Sequence, residues 1–276
     1  MRPVWLIEAG VYGADADPLL AEIRRQGMTA EVVSHRTLLK EKDIVAGGQP
    51  LADGDCVLAY GTFPFARQIQ LHRRWIPGAW CDPANLDCSC YYPHFGKSLL
   101  NQRYEILPAA EATRQRDRLY EEFGPDDEVF ARPTGCHKAF TGRCIYKDDF
   151  ASALSPATFD PDAQVVVAAP SEIGREWRLV VAEHRVVAGS QYAVEGSKCV
   201  QAGCPTDVRA FAEQMLAEVR WRPDPIFMMD VCECEGRLWL VELSGFSCSW
   251  LYACDLEAVV AVAGEVADRE WERRQA

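Results

Sequence analysis

Two acids near the C-terminal end carry the first chemical signal. The stretch Phe227-Met-Met-Asp230-Val-Cys-Glu-Cys-Glu-Gly236-Arg-Leu-Trp-Leu-Val-Glu242-Leu-Ser244 reads as two strands joined at a glycine-bearing turn. A three-residue turn centred on Gly236 sets Asp230 directly opposite Glu242, and strand alternation puts Ser244 on that same face. Met229, Val231, Val241 and Leu243 would then face the core. Carboxylates so opposed have Cβ atoms roughly 4.5–5.5 Å apart and repel. A bound Mg²⁺, which takes hard oxygen ligands, removes that cost. The alternative is that one acid points to solvent, and a two-residue turn would break the register.

Two further stretches carry cations. Phe130-Ala-Arg132-Pro-Thr-Gly135-Cys-His-Lys138-Ala-Phe-Thr-Gly142-Arg places Arg132 at a strand end and Lys138 on a glycine-bearing loop. Backbone N–H groups and a lysine on such a loop suit a polyphosphate. In Ser171-Glu-Ile-Gly-Arg-Glu176-Trp-Arg178, Glu176 and Arg178 share one strand face while Trp177 and Leu179 share the other. Singly, a basic loop or a surface Glu/Arg pair is ordinarily just solvated.

Other chemistry-bearing patterns fail. Gly96-Lys97-Ser98 resembles the end of a P-loop, but Tyr91 stands where the leading glycine is required. Gly10-Val11-Tyr12-Gly13 lacks the glycine spacing of a dinucleotide site. The 12 cysteines include two C-x-C pairs, Cys88/Cys90 and Cys232/Cys234, without the paired knuckles of a structural zinc site. Buried reduced thiols are the default reading, with Cys81, Cys88, Cys90 and His94 the one cluster fit for a zinc assay.

The elements that must position these residues fall into three regions. Over 1–85, Val4–Glu8, a helix opening at Asp17-Pro18, Thr29–Ser34 and Cys56–Tyr60 alternate as in a small parallel α/β domain. Residues 86–127 read as a helical connector. From 128 to 276 the pattern is antiparallel: Glu128–Arg132 with Thr141–Tyr146, Gln164–Ala168, Glu176–Val181 with Arg185–Gln191, and the hairpin already described. Helices are expected over Thr206–Arg220 and Leu256–Glu270. Val194–Pro205 reads as a long polar loop covering a substrate.

Lys+Arg number 29 against 41 Asp+Glu, a formal net charge of −12. That balance argues against nucleic acid or an anionic membrane as partner. No apolar run approaches the roughly 18 residues of a membrane span, and the expected location is cytoplasmic.

Taken together and in this order, "FARPTGCHKAFTG", "APSEIGREWR" and "MMDVCECEGRLWLVELSGFS" resemble the ATP-grasp superfamily, and within it the clade named for two arginines and one lysine. The resemblance implies an α/β N-terminal domain followed by an α+β ATP-grasp fold, two lobes with antiparallel sheets clasping ATP. It implies Mg²⁺ on Asp230 and Glu242, and phosphate contacts from Arg132 and Lys138. Backbone groups of Val166–Ala169, Val167 and Ala169 among them, would meet adenine with Glu172 nearby. Arg178, with Lys138, would act on the transferring phosphoryl group. Where the superfamily commonly has E-x-N, this chain has Glu242-Leu243-Ser244, so Ser244 would ligate Mg²⁺ or hold a water that does.

The activity implied is an ATP- and Mg²⁺-dependent carboxylate–amine ligase, ADP-forming, working through an acyl-phosphate on an amino acid, peptide or small metabolite. Lys198 and Arg209 could meet a substrate carboxylate, and Tyr192, Glu195 or Asp255 an amine. The rivals are a phosphotransferase on the same fold, a non-catalytic nucleotide- or partner-binding protein, and a cysteine-based metal-binding protein.

Overall fold

The computed structural model describes residues 2–13, 16–40, 43–136, 140–155 and 160–276. The chain starts with β1 (Val4–Glu8), α1 (Ala16–Arg25), β2 (Thr29–Val33) and α2 (His35–Lys40). Two-residue strands β3 (Val45–Ala46) and β4 (Gln49–Pro50) then precede β5 (Cys56–Tyr60), α3 (Phe63–His72) and β6 (Ile76–Gly78). β1, β2, β5 and β6 form a parallel sheet in the order β2-β1-β5-β6. Every residue of β5 is buried, which is what a strand covered on both faces requires.

Next come α4 (Cys88–Phe95), β7 (Tyr104–Pro108), α5 (Ala109–Arg114) and α6 (Arg116–Phe123). The connector over 86–127 is therefore not helical throughout. β7 pairs along its length with β10 and forms one edge of the second sheet. Its sequence, Tyr-Glu-Ile-Leu-Pro, lacks strict alternation, and its burial is mostly partial, as for an edge strand.

The second sheet is completed by β8 (Glu128–Pro133), β9 (Arg143–Tyr146) and β10 (Gln164–Ala168), with the short helix α7 (Phe150–Ala153) between the last two. Its order is β7-β10-β8-β9, antiparallel throughout. One face, with Val129, Ala131, Val165 and Val167, packs against Leu119, Tyr120 and Phe123 of α6 and Phe150 of α7. Alternation turns Arg132 and its cross-strand partner Val166 to the opposite face.

The third sheet is made of β11 (Arg175–Ala182), β12 (Arg185–Val194) and β13 (Ser197–Ala202), then β14 (Ile226–Cys234) and β15 (Arg237–Gly245). Helix α8 (Thr206–Glu218) lies between β13 and β14 in the chain, and α9 (Leu256–Gln275) follows β15. The order is β13-β12-β11-β14-β15. One face carries Trp177, Leu179, Val181 and Met229 against Val208, Ala212, Met215 and Leu216 of α8. The other carries Val180, Ala182 and Met228 against Val259, Val260 and Ala263 of α9 at one end, leaving its far end to polar side chains.

The N-terminal sheet shares both cores. Leu6 and Val57 join the α8 cluster, while Trp5, Ile7 and Leu58 join the α9 cluster. Polar ties fix the junction: Gly61 N donates to Ser247 O (2.8 Å) and Ser247 N to Trp80 O (3.1 Å). The Tyr60 hydroxyl donates to Ser249 O (2.6 Å). Among the described residues no helix is long and apolar enough to cross a membrane.

The β14–β15 turn has two residues, Glu235 and Gly236, since Cys234 pairs with Arg237. Both have positive φ (51° and 70°), the backbone of a type I′ hairpin turn. That turn alone would set Val241 opposite Asp230. Instead the register shifts between Asp230 and Val231: Val231 pairs with Leu240, and Asp230 with Glu242. Val241 is the extra residue of a β-bulge, so it is only half-buried, whereas Met229, Val231 and Leu243 lie in the core.

Val194–Pro205 is not a covering loop. Glu195 and Gly196, both at positive φ, turn the chain from β12 into β13. The polar composition that suggests a loop is that of an exposed edge strand.

Candidate active site

Arg178, Asp230 and Glu242 form a row across β11, β14 and β15, each directly opposite the next. Arg178 donates to both Asp230 oxygens, Nε to Oδ1 at 2.9 Å and Nη2 to Oδ2 at 2.7 Å, the fork-to-carboxylate geometry special to arginine. From the second sheet, Arg132 reaches over and donates Nη2 to Glu242 Oε1 at 3.1 Å. Two guanidiniums and two carboxylates thus alternate where the sheets face each other.

Arg132, Arg178 and Asp230 are buried, at 8%, 9% and 3% exposed, and Glu242 is half-buried. Burial by itself would lower the pKa of each guanidinium. At Arg132 the charge of Glu242 together with Tyr91, Cys88 and Tyr92 outweighs burial, and at Arg178 the charge and hydrogen bonds of Asp230 together with Tyr252 and Tyr192 do so, so both stay above the ordinary arginine value. Buried ion pairs gain little stability over well-packed apolar residues, because desolvation consumes the attraction. A cluster of this cost points to chemistry rather than to packing.

Aromatic rings surround Arg178. Its guanidinium carbon lies 5.7 Å from the Tyr192 ring and 5.3 Å from the Tyr252 ring. Those rings stack with centroids 5.3 Å apart. The Tyr192 hydroxyl donates to Glu176 Oε2 at 2.7 Å. Glu176, two residues from Arg178 on the same face, has its pKa raised by burial, with the Asp230 charge adding to the rise.

Residues 62–262 match the family described as ATP-grasp domain, R2K clade family 3. The chain belongs to this ATP-grasp family. No curated protein sequence matches it. Among solved structures it is similar to the D-cycloserine synthetase DcsG, at 15% identity and TM-score 0.64, over 96% of this chain and 99% of that one. It is similar to the ATP-grasp ligase PsnB complexed with a minimal precursor, at 13% identity and TM-score 0.61, over 97% and 99%. A third likeness is to D-alanyl-alanine synthetase A from Vibrio cholerae, at 12% identity and TM-score 0.61, over 98% of each chain. At these identities the likeness carries the fold.

Within the ATP-grasp frame the expected site residues separate. Arg132, Arg178, Asp230 and Glu242 converge as described. Ser244 lies one alternation beyond Glu242, its hydroxyl accepting from Ser249 Oγ at 3.1 Å. Lys138 lies outside the described residues. Val167 has paired strands on both sides, so its peptide groups belong to the ladder and its side chain to the core. Ala169 is just past the end of β10, where backbone groups leave the ladder, and Glu172 is exposed on the linker to β11.

The hard-oxygen donors of Asp230, Glu242 and Ser244 fit Mg²⁺. Each carboxylate offers about four lone-pair sites, so the arginine hydrogen bonds leave capacity for a metal. No group of three or more His, Cys, Asp or Glu among the described residues is placed to hold one, the Cys81/Cys88/Cys90/His94 set included. Cys81 Sγ instead meets Cys248 Sγ at 2.9 Å, and His94 stacks on Trp221.

Of the substrate candidates, Lys198 and Tyr192 line a hollow of about 370 Å³ with Glu176, Ala193, Gly196, Trp250 and Tyr252. Arg209 sits on α8 and donates to Val186 O. That helix covers the opposite face of the sheet. Asp255 is the N-cap of α9, accepting from Ala258 N. Trp250 and Tyr252 escaped sequence reasoning because the 249–255 segment has no periodicity. Their one signal was aromatic density beside the last hairpin.

Proposed function

We propose that this ATP-grasp protein is an ADP-forming carboxylate–amine ligase acting on an amino acid, a peptide or a small metabolite. The carrying observation is the opposition of Asp230 and Glu242 between Arg178 and Arg132, where two sheets meet. Such a site suits phosphoryl transfer, which is mostly positioning and charge neutralisation.

Asp230, Glu242 and Ser244 would hold Mg²⁺, which supplies charge neutralisation and orientation for the phosphates of ATP. Arg132, with Lys138, would bind those phosphates. Backbone groups at Ala169 would meet adenine, with Glu172 nearby. Arg178, held by Asp230 and the flanking tyrosines, would stabilise charge on the phosphoryl group as it passes to a substrate carboxylate. An amine then displaces phosphate from the acyl-phosphate to give the amide.

Product identification tests this reading. Incubation with ATP, Mg²⁺ and paired carboxylates and amines is expected to release ADP and phosphate with an amide. A stable phosphorylated product would establish a phosphotransferase instead. Ser244, where the superfamily commonly has Asn, favours one rival, a non-catalytic nucleotide-binding module, which would bind the nucleotide without consuming it.

A further inference from the structure

Trp250 is 39% exposed, an unusual position for so large an apolar surface. It separates two hollows. On one side is the 370 Å³ hollow with Glu176 and Lys198. On the other is a second, of about 220 Å³, lined by Tyr12, Leu19, Tyr60, Trp250, Leu251 and Tyr252 among others. Tyr12, from the N-terminal domain, meets the Trp250 ring edge-on with centroids 4.8 Å apart and stacks on Tyr60 at 4.9 Å. One hollow is thus ionic and the other aromatic, and both share the walls Trp250 and Tyr252.

The ionic hollow is built on a cross-strand row. Glu176 opposes Ala193, and Ala193 opposes Lys198. The acid and the lysine therefore stand on one face two strand spacings apart, about 10 Å between Cα atoms. Among the described residues the lysine–carboxylate ion pairs are those of Lys97 and Lys147, not of Lys198. Glu176 accepts from one tyrosine hydroxyl, leaving further acceptor sites. Tyr252 has φ of +49°, a left-handed backbone that is strained in a non-glycine residue.

We infer that this two-part groove is the acceptor-amine subsite and that it takes an α-amino acid, free or at a peptide N-terminus, with a large apolar or aromatic side chain. The inference rests on the ligase reading above. The α-ammonium lies on Glu176 and against the aromatic faces, where cations bind favourably. The carboxylate of a free amino acid meets Lys198. The apolar side chain passes Trp250 into the hollow of Tyr12, Leu19 and Tyr60. Glu176 lies about 6.8 Å along β11 from Arg178, Cα to Cα, so the bound amine borders the acyl-phosphate. The ammonium gives a proton to the Glu176 carboxylate, and the nitrogen lone pair attacks the acyl carbon. A C–N bond forms, the C–O bond to phosphate breaks, and the departing phosphate carries off the second nitrogen proton.

Calorimetric titration of L-phenylalanine, glycine and phenethylamine into the full chain tests this, with and without a non-hydrolysable ATP analogue. L-phenylalanine is expected to bind at least tenfold tighter than glycine. Trp250→Ala should abolish that preference, whereas Trp250→Phe should retain it. Lys198→Met should weaken L-phenylalanine at least tenfold and leave phenethylamine unchanged. Equal binding of the two amino acids, binding of neither, or an unaltered preference in Trp250→Ala overturns the inference. Failure of the ATP analogue to bind strikes at the ligase reading instead, because amino-acid binding is read separately in its absence.

Discussion

Arg178 is held on four sides, by both oxygens of Asp230 and by the rings of Tyr192 and Tyr252. Truncating it leaves the Asp230 carboxylate buried without its counter-ion, a change that costs about 3–5 kcal/mol. Arg178→Ala should therefore lower the unfolding free energy by that order, read by urea titration. Where the variant remains folded, turnover should fall at least a hundredfold while affinity for an ATP analogue changes less than tenfold. That split marks a residue acting mainly in the transition state; comparable losses of both would reassign it to nucleotide binding. Residue types made this quartet legible: opposed acids on a hairpin and cations at a strand end. Which arginine meets which acid was not, because β8 and β11 belong to different sheets and no local pattern brings them together.

At the level of elements, the strands β1, β2, β5, β8, β10, β11, β12, β14 and β15 follow from apolar alternation or short apolar runs. The opposition of Asp230 and Glu242 holds for a reason the sequence conceals. A two-residue turn would misalign the acids, and the bulge at Val241 restores them. Turn length and bulge compensate, and neither is written in hydrophobic pattern. β7 and β13 were hidden because edge strands need not alternate.

The segment joining α8 to β14 carries its own titration. Burial, with Asp82 and Glu270 adding repulsion, raises the Asp224 pKa from its ordinary value of 3.8 to about 7. A carboxyl whose folded-state pKa is raised binds its proton more tightly when folded, so its contribution is most favourable below about pH 4 and is lost as the pH climbs to about 7. Asp224→Asn, which keeps an oxygen to accept from Asp82 N, should be more stable than wild type at pH 8, with the difference shrinking toward pH 4. Denaturant titrations at the two pH values check this. A constant difference would place the burden elsewhere.

Over the whole molecule, the division into an α/β domain, a connector and a C-terminal domain is a division of chain order more than of packing. α9 runs against α1, β5 and β6 as well as β12, and Leu58 of β5 shares a cluster with Val180, Ile226 and Val260. The sequence suggests three regions because strand–helix alternation gives way to hairpins. The shared core was not legible, since nothing in local periodicity says that the last helix returns to the first sheet. Leu58→Ala should cost about 2–5 kcal/mol, as for a fully buried leucine, and lower one common thermal transition. Two separated transitions, with only the first displaced, would show that the N-terminal sheet folds independently.

The family assignment and the quartet converge on one claim, that Asp230 and Glu242 hold the metal through which ATP is bound between the arginines. The most direct measurement is calorimetric titration of a non-hydrolysable ATP analogue, with and without Mg²⁺, into wild type and Glu242→Gln. The amide keeps a hydrogen-bond acceptor for Arg132 while removing the charge. Magnesium-dependent binding by wild type, lost at least tenfold in the variant, is the predicted result. Binding that ignores both the metal and the substitution would contradict the claim.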